Sequence, residues 1–252
     1  MKGLTFDKLW YWFLLVAILS YLVGCINFAI IISKIKNKGK GDIRTMGSGN
    51  PGMLNMSRNY GMKIGVLILF LDILKGLVPS LIAGLIFKKY AYANSGICLK
   101  MPIQAVSGLC AVCGHIFPFW LKFKGGKGIS TTIGFFLSVE PVLTLLFGIT
   151  AITFILLTNM GSMGSFIATT PSAIVAVWKF YEKYHVYANS FSEHFLFNIT
   201  NIFLLVIILI TWWAHRKNIQ RLLKGEEHPT NWMQMIKNIK YKSKLKKEKI
   251  EK

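Results

Sequence analysis

Six stretches of this chain run apolar for about 20 residues each, the length that crosses the hydrocarbon core of a bilayer. They are residues 10–33, 62–87, 103–121, 141–158, 162–179 and 195–214. A seventh stretch, 128–139, is shorter and more polar. It stops at Glu140-Pro141, where proline removes a backbone donor and restricts the residue before it. A chain so patterned has too much continuous apolar surface for one soluble core. The expected class is therefore an all-α integral membrane protein with seven transmembrane helices. A net charge of +20 would otherwise suggest nucleic-acid binding, but 53% hydrophobic residues is too apolar for such a domain. The same composition excludes a disordered chain and a disulfide scaffold. Cys25, Cys98, Cys110 and Cys113 lie in or beside apolar stretches without metal-ligand spacing, and are expected to be reduced core residues.

Charge sets the expected orientation, because Lys and Arg concentrate in cytoplasmic loops. With seven spans and the N-terminus outside, the inner segments 34–61, 122–127, 159–161 and 215–252 hold 22 Lys or Arg, counting Lys63 with the first. The outer segments hold 7, and Lys75 lies within a span. The C-terminus is thus expected inside. Trp10, Trp12, Trp212 and Trp213 fall at span ends, as interfacial anchors do. Leu22-Val23-Gly24-Cys25 has the form of a lipoprotein cleavage box. The apolar run continues through Ile32, however, so cleavage is not expected. Residues 1–227 are read as the membrane domain and 228–252 as a basic tail. A basic amphipathic helix on anionic lipid and a frayed solvated tail are both compatible with its pattern.

The informative residues are the polar ones. In the first cluster, GDIRTMGSGNPGMLNMSR (41–58), Gly47, Gly49 and Gly52 spell G-x-G-x-x-G, but a membrane span precedes them instead of a strand. A glycine-rich run still lets backbone N–H groups converge on an anion, and Ser48, Asn50, Asn55 and Arg58 add donors. A flexible solvated loop is the plainer reading. The second cluster, GHIFPFWLKFKGGKGIST (114–131), interleaves Lys122, Lys124 and Lys127 with Gly125, Gly126 and Gly128. Opening onto a helix, it forms a candidate phosphate cradle; positive-inside charge explains the lysines but not the glycines. The third, TNMGSMGS (158–165), places Ser162 and Ser165 among small residues that also suit helix packing. The fourth, HRKNIQRLLKGEE (215–227), sets His215 and Asn218 on one helix face and adds Arg221 and Lys224. Its plainer reading is a basic helix on the membrane surface. Seven spans bring all four clusters to the cytoplasmic face, and the site is expected there. Asp72 and Lys75, three apart within a span, are expected to pair or face the bundle as structural residues.

These clusters resemble the bacterial acyl-phosphate:glycerol-3-phosphate acyltransferases, the PlsY family. Residues 47–58 follow a first motif of approximately GSGNxGATNxxR. Residues 114–131 follow GHxFPxFxxFKGGKGxAT. Ser162 to Ser165 is similar to a short serine-containing turn, and His215 through Glu227 matches HRxNIxRLxxGxE. Asp72, Lys75, Gly76 and Pro79 match DxLKGxxP. The likeness runs in one order over about 20–227. It implies transfer of an acyl chain from acyl phosphate to the 1-hydroxyl of glycerol 3-phosphate at a bacterial plasma membrane, giving lysophosphatidic acid. It also implies roles. Ser48 and Arg58 would contact substrate phosphate. Lys124, Gly125, Gly126 and Lys127 would hold phosphate, and His215 and Asn218 would place the glycerol phosphate. Glu227 would support local structure. The chain departs from the family pattern at Met53-Leu54, where the family has Ala-Thr, at Gly24-Cys25-Ile26-Asn27, and at Asn159-Met160.

An acyl phosphate is already activated, so direct attack by the glycerol 3-phosphate hydroxyl is expected, with cations and backbone amides stabilising the oxyanion. Either His215 or a substrate phosphate oxygen would take the proton. The His-x-x-x-x-Asp signature of acyl-CoA-dependent acyltransferases is absent from the sequence. No metal, cofactor or nucleic-acid partner is expected. The expected partners are the two substrates, membrane lipids and the enzyme that makes the acyl phosphate. The rival from another class is a membrane transporter or binding protein for phosphate or an organic phosphate. It would call for midplane polar groups and matched repeats, whereas the polar groups here gather at span ends.

Overall fold

The computed structural model describes residues 2–92, 97–185, 190–226 and 230. Helices dominate. The first predicted span is two helices, α1 (Phe6–Cys25) and α2 (Phe28–Lys36). The chain is extended at Ile26 and Asn27, and the Asn27 side chain accepts a hydrogen bond from the Ile30 amide at 3.0 Å. That N-cap satisfies a donor left over where a new helix begins. The remaining helices are α3 (Met53–Tyr60), α4 (Met62–Phe87), α5 (Lys100–Ile116), α6 (Ile129–Val139), α7 (Pro141–Thr158), α8 (Gly161–Tyr184), α9 (Phe191–Ala214) and α10 (Arg216–Leu223). Proline at the first position of α7 follows the expected break at Glu140. A capping box between Ser190 and Glu193 starts α9. One small addition to the all-helical expectation is a parallel pair of three-residue strands, β1 (Lys2–Leu4) and β2 (Tyr90–Tyr92).

Five segments are long and apolar enough to cross a membrane: Lys8–Lys36, Met62–Phe87, Lys100–Leu121, Pro141–Thr158 and Phe191–Ala214. Helix α6 has 11 residues and is shorter. Helix α8 has the length, at 24 residues, but is not among the five. Ser162, Thr169 and Ser172 on it are buried, so its polar residues turn inward. Helix α5 is the hub: 67% of its most apolar stretch is buried, against 11% for the peripheral α7.

Close backbone approach holds the centre together. A side chain at Gly24 would strike the Ala111 backbone, and one at Gly114 would strike the Tyr21 carbonyl, so α1 and α5 touch through glycine. Gly76 against Thr131 and Gly134 against Ile73 do the same for α4 and α6. Lipid tails are as apolar as the helices, so tight packing of small residues replaces the hydrophobic drive that joins helices in water. At one end of the bundle, Ile30, Ile43, Met56 and Ile68 form a buried cluster that seats the segment before α3 on α2 and α4. Of the four cysteines, all free, Cys25 is buried and the other three are partly exposed, which corrects the expectation of four core residues.

Candidate phosphate-binding site

The first glycine-rich stretch is shaped from its ends inward. Asp42 accepts from the Arg44 amide at 2.9 Å and pairs with its guanidinium at 2.8 Å. Those hydrogen bonds hold the Asp42 carboxyl below the usual carboxylate range. Asn55, 1% exposed, fills the loop's centre. Its side-chain nitrogen donates to the carbonyls of Ile43 (3.2 Å) and Met46 (2.9 Å), and its oxygen accepts the Ser48 amide at 3.1 Å. Asn55 is therefore committed on both ends to shaping the loop. Gly47 and Gly49 take φ values of +53° and +70°, which glycine adopts without a Cβ penalty. Gly47, Ser48 and Arg58 are exposed, and Asn50 is half-buried.

The second stretch leaves α5 through a left-handed turn at Lys122 (φ 54°) and Phe123 (φ 59°). The chain then doubles back. Gly125 donates to the Ile116 carbonyl and Gly126 to the His115 carbonyl, each at 3.0 Å. Gly128 is left-handed at φ +84°, and α6 begins at once, without a side-chain cap. The first amides of α6 thus face the glycine loop, an arrangement suited to anions. Lys124 is exposed, while Gly126 and Gly128 are buried.

Three predicted clusters meet through side chains. Lys127 Nζ donates to Asn218 Oδ1 at 2.7 Å, and Asn218 Nδ2 donates to Ser162 Oγ at 2.6 Å. This joins the glycine loop, the start of α8 and α10. Ser165 is turned back on its own helix, donating to the Gly161 carbonyl at 3.0 Å. Ser48 and Arg58 are not part of this hydrogen-bonded set among the described residues. The first cluster meets it by packing instead: a Cβ at Gly161 would press on Leu54 of α3. Glu227 and the tail's amphipathic positions lie outside the described residues.

His215 is the hinge residue between α9 and α10, 4% exposed. Its Nδ1 lies 2.9 Å from the Thr211 carbonyl, which can only accept, so Nδ1 carries the proton and Nε2 the lone pair. Burial first, and the nearby Lys127 charge second, push its pKa down to about 4. The ordinary value is 6.5, so between pH 6.5 and 4 the unfolded chain binds a proton that the folded chain refuses. The resulting stability is complete above pH 6.5 and declines as pH falls, by about 2 kcal/mol at pH 5. Comparing thermal unfolding at pH 7.5 and 5 checks this. Wild type should lose more than His215→Asn, and Lys127→Met should narrow the gap.

A second polar set lies inside the bundle. Lys75 Nζ is 2.9 Å from Asp72 Oδ1 and 2.9 Å from His115 Nδ1, and it donates to the Ile26 carbonyl at 2.8 Å. The expected Asp72–Lys75 pair is thus direct. Sequence reasoning did not single out His115. Its signal was a histidine in an apolar helix, where ionisable residues are rare. Beside the Asn27 break lies a cavity of about 430 Å³ lined by Ile26, Asn27, Ile30, Ile31, Lys34, Trp120 and Leu121. Among the described residues no three His, Cys, Asp or Glu side chains could share a metal ion.

Apolar spans define a membrane protein, and its lysine–glycine loop beside a buried histidine is the candidate site. The family model described as glycerol-3-phosphate acyltransferase matches residues 14–225. The chain belongs to that family. It is 35% identical over 213 residues to the glycerol-3-phosphate acyltransferase of Mycoplasmopsis pulmonis, covering 84% of this chain and 91% of that one. It is 36% identical over 215 residues to that of Thermoanaerobacter pseudethanolicus, covering 84% and 93%. Among solved structures it is similar to the integral membrane glycerol 3-phosphate acyltransferase PlsY (YgiH). The glycerol 3-phosphate form matches with TM-score 0.69 and 31% identity, covering 89% of this chain and 98% of that one. The lysophosphatidic acid form matches with TM-score 0.67 and 30% identity over the same shares.

Proposed function

We propose that this chain transfers an acyl group from acyl phosphate to the 1-hydroxyl of glycerol 3-phosphate, giving lysophosphatidic acid and phosphate. The observation that carries the reading is the Lys127–Asn218–Ser162 chain beside a neutral His215 at the mouth of the glycine loop. Ser48, Arg58, Lys124, Lys127 and the first amides of α6 hold the phosphates, in a turn that Gly125, Gly126 and Gly128 shape. Asn218 and Ser162 orient the glycerol moiety. Asn55, with Gly47 and Gly49, shapes the first loop. The acyl chain follows the apolar cavity at the Asn27 break. The glycerol hydroxyl oxygen attacks the acyl carbonyl, and the bond from that carbon to the phosphate oxygen breaks. The hydroxyl proton passes to His215 Nε2 and then to the departing phosphate. Holding both reactants in register supplies about 7–11 kcal/mol of the barrier reduction.

The topology that goes with this reading has seven membrane passages: the broken α1–α2 pair, α4, α5, the short α6, α7, α8 and α9. The N-terminus is outside and the C-terminus and site are cytoplasmic, in a bacterial plasma membrane. The distribution of 22 positive residues on one side and 7 on the other supports it. Residues 1–227 form the acyltransferase domain. The enzyme that produces the acyl phosphate is the natural upstream partner, because a mixed anhydride hydrolyses if left in water.

The test is an assay of purified protein with glycerol 3-phosphate and either acyl phosphate or acyl-CoA. Lysophosphatidic acid should form with acyl phosphate alone. Product from acyl-CoA alone, or from neither donor, overturns the reading.

A further inference from the structure

We propose that His115 is an additional anion ligand of the glycine loop, its Nε2–H aimed at bound phosphate and its tautomer set by Lys75. This rests on the phosphate-substrate reading above and extends it to a residue behind the loop. The ammonium of Lys75 has only protons to offer, so the His115 Nδ1 that it meets at 2.9 Å must present a lone pair. The ring proton is then on Nε2. Lys75 is in turn anchored by Asp72 at 2.9 Å and by the Ile26 carbonyl at 2.8 Å, so the ring cannot swap tautomers without breaking a buried ion pair. Asp72 and Lys75 are positioning residues in this scheme.

The other end of the ring points at the loop. A Cβ at Gly126 would run into His115 Nε2, so only glycine lets the ring come up against the chain there. The two are also in fixed register, because the Gly126 amide donates to the His115 carbonyl at 3.0 Å. His115 is 5% exposed, yet Nε2 has no hydrogen-bond partner among the described residues. The little surface that the ring keeps is at its side facing Gly126, where a ligand in the loop would meet it. A buried imidazole whose unspent donor lies against the glycine loop is completed by an anion. Phosphate supplies the acceptor oxygens.

Two isosteric variants of the full-length protein separate this role from a structural one. His115→Asn keeps an acceptor for Lys75 at the Nδ1 position but deletes the donor at Nε2. His115→Gln places an amide N–H where Nε2–H was. The probe is inorganic phosphate, titrated into detergent-purified protein by calorimetry, with thermal unfolding in its absence as the folding control. His115→Asn should weaken phosphate binding about tenfold to a hundredfold, the range for a hydrogen bond to a charged group. His115→Gln should stay within about threefold of wild type. Asn binding phosphate as wild type does, or Asn and Gln failing equally, would overturn the proposal. Wild-type protein that binds no phosphate overturns it too. The measurement needs no acyl donor, so it is independent of the assay above. Phosphate binding lost in His115→Asn, together with no lysophosphatidic acid from wild type, would sink the acyltransferase reading and leave the anion site standing.

Discussion

His215→Ala is expected to lower turnover about 10²–10⁴-fold, the usual worth of a positioned general base. The KM for glycerol 3-phosphate should move far less, because Lys127 and the first amides of α6 remain to bind phosphate. Nδ1 is spent on the Thr211 carbonyl, so Nε2 carries the lone pair. Burial and Lys127 keep the ring neutral at pH 7, so it is always ready to accept a proton. A pKa of about 4 would make a weak base in the empty protein. A bound phosphate dianion offsets the Lys127 charge and returns the ring toward its ordinary basicity. Steady-state kinetics of the purified variant, with thermal unfolding to show that it is folded, decide the matter. A loss below tenfold would move the base role to the substrate's own phosphate.

Lys75→Met should be the most damaging single change to stability, at about 3–5 kcal/mol. It strands the Asp72 carboxylate, 3% exposed, without its cation. It also takes the donor from His115 Nδ1 and from the Ile26 carbonyl at the α1–α2 break. In thermal unfolding this corresponds to a Tm drop of roughly 6–20 °C. The double change Asp72→Leu, Lys75→Met should recover much of the loss, since two apolar side chains leave no charge uncompensated. A single variant as stable as wild type would show that water reaches the pair. A double variant that regains Tm but still binds phosphate poorly would fit the positioning of His115 by Lys75.

The apolar runs were legible because a span needs only length and continuity, and the five segments that meet both conditions coincide with predicted ones. The break at Asn27 was not legible, since one polar residue barely interrupts an apolar run while its side chain can cap a new helix. Helix α8 has the length of a span, and only the fold shows that its Ser162, Thr169 and Ser172 are buried against neighbouring helices. At the site, glycines alternating with lysines stood out because positive-inside charge does not need glycine. Asn55 carried the same amide signature as a ligand donor, and only its hydrogen bonds to Ile43, Met46, Ser48 and Asn59 reveal a loop-shaping residue. His115 was passed over because its partner Lys75 lies 40 positions away in the chain.

By itself the sequence determined that this chain belongs in a membrane, where most of its helices run, and which short stretches are candidates for anion binding. Those properties depend on neighbours along the chain: apolar length, glycine, capping residues and charge. The tertiary structure decided which stretches meet. It placed Lys127 beside Asn218 and Ser162, and set His115 between Lys75 and Gly126. The physical reason is the packing of α4, α5 and α6 through Gly76, Gly108 and Gly134, which depends on surfaces that no local pattern specifies.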